Sequence, residues 1–161
     1  MQLPKRKPGK YTHGVEDLII TQKKFDQLDR TAKKLKAERP QAAAEVSRLA
    51  EMGDFSENAG YQQAKWHLRR LNNKLTKIEF ILNHAEIIQE TDNSVVSIGN
   101  TVTITTSKGV KTYTILGSSE INIEKGIISH SSPVGKSLLG CKVGDSIKIG
   151  NLGTATITAI S

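Results

Sequence analysis

The chain has 161 residues, 37% of them hydrophobic and 24% charged, with 23 Lys and Arg against 16 Asp and Glu for a formal charge of +7. That composition excludes a disordered or collagen-like chain and fits one ordinary domain or two small ones, and no apolar run reaches the roughly 20 residues of a bilayer span. The single Cys141 excludes an internal disulfide and a cysteine-based zinc cluster, so a reducing, cytoplasmic location is expected.

The first 18 residues begin with a basic arm (Lys5, Arg6, Lys7 and Lys10, no acid in the first ten) that is expected to be flexible. From Thr21 to Glu51 the apolar positions Phe25, Leu28, Ala32, Leu35, Ala42, Val46 and Leu49 keep a strict alternation of three and four, with Arg39 on the seam. This predicts a long helix capped by Thr21 and bent, not ended, at Pro40. A second series, Tyr61, Ala64, Leu68, Leu71, Leu75, Ile78, Leu82 and Ala85, repeats the alternation. The link from Met52 to Asn58 is so short that the two helices must lie antiparallel, which predicts a coiled-coil hairpin over residues 19–90 with its tip at 53–58.

After residue 90 the pattern changes to short β-branched runs, Thr101–Thr106, Thr112–Leu116, Ser146–Ile149 and Thr154–Ile160, separated by glycine-containing turns. Ser132-Pro133 offers an N-cap followed by proline at the first helical position, and Gly140 can close the short helix Val134–Leu139. The expected class is α+β, with one short helix packed on a small sheet over residues 91–161.

No zinc-ligand cluster, phosphate loop or nucleophile elbow is visible, which argues against an autonomous enzyme. Two features carry possible chemistry. Asp54 and Glu57 in the hairpin turn can be read as the N-cap and N3 residues of a capping box, or as exposed carboxylates that bind a divalent cation only when a partner completes the site. Behind them, residues 58–78 carry Lys65, Arg69, Arg70, Lys74 and Lys77 with no acid. That face is either simply solvated or meets a polyanion, with Tyr61 and Trp66 at its tip-proximal end.

Three stretches resemble the Gre transcript cleavage factors of bacterial RNA polymerase. Gly53-Asp-Phe-Ser-Glu-Asn-Ala-Gly-Tyr61 is similar to the family's tip signature, Glu38-Arg-Pro40 to its first-helix Arg-Pro pair, and the run from Ser132 to Asp145 to its C-terminal signature. The resemblance implies a coiled-coil domain followed by an FKBP-like domain. It implies a factor with no nuclease activity of its own, which inserts the hairpin into the polymerase secondary channel and stimulates cleavage of the backtracked RNA 3′ segment. Asp54 and Glu57 match the two tip acids, which would help hold a second Mg2+ within the polymerase site, and Ser56 and Asn58 match their polar neighbours. Lys65 and Arg69 would meet RNA or the channel wall, and Ser132 and Pro133 would dock on the polymerase. No cofactor of its own and a monomeric state are expected.

The sequence departs from the family pattern at Gly60, where an acid is common, at Lys24, where glycine is usual, and in the basic arm. A paralogue that occupies the channel and inhibits is the nearest alternative, but the turn carries no acids beyond the ordinary pair. A prolyl isomerase would need an aromatic pocket, and residues 91–161 contain only Tyr113. A hairpin chaperone or a DNA-binding coiled coil would need no tip acids, and the latter would bind duplex DNA in a salt-dependent way.

Overall fold

The computed structural model describes residues 18–52, 59–89, 92–150 and 153–161. The expectation of a flexible arm falls largely on residues 1–17, outside the described residues. So do all four tip positions, Asp54, Ser56, Glu57 and Asn58.

Strand β1 (Ile19–Ile20) leads into helix α1 (Gln22–Glu51), and helix α2 (Ala59–His84) runs into strand β2 (Glu86–Ile87). The heptad positions meet as expected: Ala32, Leu35 and Ala42 of α1 bury against Leu71, Leu75 and Ile78 of α2, with Leu28, Leu68 and Leu82 packed on this cluster. An ion pair, Lys36–Glu79 at 2.8 Å, and a polar contact, His67 Nε2 to Glu38 Oε1 at 3.3 Å, cross between the helices. Both are largely exposed, so the apolar seam and not the charges holds the pair. Arg39, which interrupts the apolar seam, is exposed; a guanidinium there is better hydrated than buried.

Pro40 sits inside α1 without ending it. Its missing N–H leaves the Lys36 carbonyl without its helical partner, but both residues are exposed and water can satisfy that oxygen. At the base of the hairpin β1 and β2 pair in parallel, with Ile19 opposite Glu86 and Ile20 opposite Ile87. This clasp of two-residue strands ties the start of α1 to the end of α2.

The remainder forms a five-stranded sheet in the order β5-β4-β3-β7-β6. Its strands are β3 (Thr101–Thr106), β4 (Gly109–Leu116), β5 (Ile127–Ser129), β6 (Ser146–Ile149) and β7 (Gly153–Ile160). Among the described residues of this sheet, only β4 and β5 pair in parallel. Period-two alternation in β3 sends Val102, Ile104 and Thr106 inward and leaves Thr101, Thr103 and Thr105 more exposed. Val102, Ile104, Ile115, Ile149 and Ile157 form the core with Val96 and with Leu138 of helix α3 (Pro133–Leu138).

Candidate functional site

The hairpin fixes where its closed end lies. The antiparallel helices meet again, at Glu51 of α1 and Ala59 of α2, on the side opposite the β1–β2 clasp, and the 30 residues of α1 at about 1.5 Å each put that end roughly 45 Å away. The last described residue before the turn, Met52, is exposed, and its N–H donates to the Ala50 carbonyl. One turn earlier Arg48 grips Glu45 with two nitrogens, at 2.9 and 2.7 Å. That hydrogen bond and the guanidinium charge hold the Glu45 carboxyl below its ordinary range. Arg48 Nη1 also reaches Met52 Sδ at 3.7 Å.

On α2, Lys65 and Arg69 lie one turn apart and are both exposed. The Lys65 ammonium stands 5.8 Å from the Tyr61 ring centroid. Trp66 is 60% exposed, and the Arg70 guanidinium covers its ring at 4.7 Å. Trp66 stands off the heptad series as a platform for a cation on the outer face, and its pairing residue at i+4 is readable from the sequence.

The structure places the two expected docking residues differently. Ser132 is half-buried and its hydroxyl accepts the Gly135 N–H at 3.0 Å, capping α3, while Pro133 at the first helical position is exposed. Cys141 is half-buried, with its thiol pushed up in pKa first by burial and then by the Asp145 charge, and Sγ donates to the Ser137 carbonyl at 3.4 Å. A raised thiol is a poor nucleophile.

Residues 18–87 match the family model described as the N-terminal part of a transcription elongation factor, and residues 91–161 match that of the GreA/GreB C-terminal part. The chain belongs to the GreA/GreB family of transcription elongation factors. It is 39% identical over 134 residues to transcription elongation factor GreA of Macrococcus caseolyticus, covering 81% of this chain and 85% of that one. It is 33% identical to GreA of Paracoccus denitrificans, covering 84% of this chain and 89% of that one. Among solved structures, the GreA factor homolog 1 protein of Thermus thermophilus matches at 24% identity and a TM-score of 0.44, covering 90% of this chain and 99% of that one. The two family matches fall on the hairpin and on the sheet. No helix among the described residues is long and apolar enough to cross a membrane.

Proposed function

We propose that this protein inserts its hairpin into the secondary channel of bacterial RNA polymerase and stimulates the polymerase's own cleavage of backtracked RNA in the cytoplasm. The observation that carries this reading is that the sequence holds an intact Asp54/Glu57 pair between two packed antiparallel helices, the first roughly 45 Å long, in a chain that belongs to the GreA/GreB family. A carboxylate pair carried between the far ends of two such helices would reach into a narrow passage of another protein.

Asp54 and Glu57 supply hard oxygen donors, the ligand type that Mg2+ takes, and two carboxylates alone leave most of its coordination to phosphate and water. Those two residues would hold the ion jointly with the polymerase. When bound, the ion would supply charge neutralisation and an activated water for phosphodiester hydrolysis. Ser56 and Asn58 would orient the turn, and the exposed Lys65 and Arg69 would meet the extruded RNA or the channel wall. Because α3 holds it outward, Pro133 would be the contacting member of the docking pair, with Ser132 shaping the turn beneath it. The factor itself would cut nothing without polymerase.

Adding the purified protein to backtracked elongation complexes tests this directly: shortened RNA 3′ ends are expected, and none with either component alone. Displacement of a cleavage factor without any shortening would instead make the protein an inhibitor. A second result checks the basic face. The Lys65→Ala/Arg69→Ala variant should bind complexes more weakly and lower the slope of log affinity against log salt by about 1 to 2, since each lost phosphate contact releases fewer counterions. An unchanged slope would mean that this face is only solvated.

A further inference from the structure

The N-terminus of α1 is capped by the other half of the molecule. Thr21 is its N-cap, and the Thr21 hydroxyl accepts the Lys24 backbone N–H at 3.1 Å. In a self-contained capping box the N3 side chain would reach back to the Thr21 backbone N–H, but N3 is Lys24, which has no acceptor, and the first turn contains no acid. Glu120 occupies that role from 99 residues away. Its Oε1 accepts the Thr21 N–H at 2.7 Å and its Oε2 accepts the Thr21 hydroxyl at 2.8 Å. A carboxylate there also meets the positive end of a 30-residue helix.

Glu120 is itself held. It ends a 3-10 turn (Ser118–Glu120) whose Ser118 hydroxyl bonds the buried Ser129 hydroxyl of β5 at 3.0 Å, and Ser129 bonds Ser131 at 2.7 Å. A second close approach lies beside it: Gly99 takes φ +106°, and a Cβ there would come within 2.8 Å of Ile88 Cγ2. The Ile88 backbone N–H in turn bonds the Ile20 carbonyl next to Thr21 at 2.9 Å.

We infer that Glu120 is a positioning residue: it fixes the angle between the hairpin and the sheet and so aims the tip, acting through α1 without touching RNA or metal. A swing of about 10° at the base of a lever roughly 45 Å long carries its end about 8 Å, far more than the reacting groups of a catalytic site tolerate. The functional half of this inference rests on the proposed cleavage activity; the geometric half does not.

The absent N3 acid supplies the test. Lys24→Glu would give α1 its own capping box, so Glu120→Ala/Lys24→Glu restores the helix cap without restoring the link to the sheet. Spin labels at Met52→Cys and Lys148→Cys, in a Cys141→Ser background of the full chain, report the distance distribution between the hairpin end and the sheet. The parent should give a narrow distribution, and Glu120→Ala a broadened one, by about twofold or more in width given the lever length, with a lowered melting temperature. The double variant should recover the melting temperature yet keep the broad distribution and a roughly tenfold loss of cleavage stimulation. A distribution left narrow by Glu120→Ala, or narrowed again in the double variant, would make Glu120 a helix cap only and overturn the inference. If the parent fails to stimulate cleavage, the proposed function falls, while the distance distributions still decide whether Glu120 sets the angle.

Discussion

Asp54→Asn and Glu57→Gln should each abolish most RNA cleavage stimulation while leaving the fold and polymerase competition nearly intact. The two substitutions keep what a capping role needs. An asparagine oxygen still accepts a backbone N–H at a helix start, and glutamine still reaches back across a capping box, so stability should stay within about 1 kcal/mol of the parent. They remove formal charge, and a neutral amide oxygen is a far weaker ligand for a small cation that dehydrates reluctantly. Stimulation should therefore fall by about tenfold or more, with partial recovery as Mg2+ is raised, because the loss is one of ion occupancy. The checks are RNA 3′-end shortening in backtracked complexes, a competition assay against the parent, and thermal melts. Retained cleavage together with reduced stability would assign the acids to the cap and leave the proposed mechanism without its ligands.

How much of this was legible in the sequence depends on the range of the interaction. The heptad seam was readable because its partners repeat every three or four residues, and Ala32, Leu35, Leu71, Leu75 and Ile78 are buried as that repeat demands. The bounds of β3 and β6 match the β-branched runs, and α3 is capped by Ser132 with Pro133 at its first position. Strand β5 was missed: it is three residues long, pairs in parallel with β4, and has no room to display alternation. The β1–β2 clasp was missed for the same reason, since two-residue strands owe their existence to the elements they join. The cap from Glu120 is 99 residues away from Thr21 and has no local signature. A trace of it was nonetheless present, in a Thr N-cap whose N3 residue is lysine. The tip acids present the opposite case: nothing in their spacing separates cap from ligand, and their assignment comes from likeness to the Gre family.

Gly135→Ala should be among the most damaging single-methyl changes in the sheet half, despite replacing glycine with the best helix former. Gly135 is buried within α3, and its N–H is the one that the Ser132 hydroxyl accepts. A Cβ there would stand 3.0 Å from His130 Cα and 3.1 Å from the His130 carbonyl oxygen, and would overlap the Ser129 carbonyl oxygen. All three are backbone atoms at the end of β5, so no side-chain rotation relieves the contact, and the Ser129 carbonyl already accepts the Ser132 N–H at 3.0 Å. Alanine's helix preference offsets only about 1 kcal/mol, whereas forcing α3 off β5 also displaces Leu138, a fully buried member of the core. A net destabilisation of about 2 to 3 kcal/mol is expected, which lowers the melting temperature of a unit of this size by roughly 10–20 °C. Gly140→Ala is the control, because it sits at φ +79° with nothing within 4 Å of the added Cβ and should cost only about 1 kcal/mol, from backbone conformation alone. Since α3 carries Pro133 outward, any Gly135→Ala protein still folded at assay temperature should also bind polymerase less tightly than Gly140→Ala. Equal melting temperatures for the two variants would show that β5 yields to the methyl group, and that the close packing beneath α3 does not hold the proposed docking turn in place.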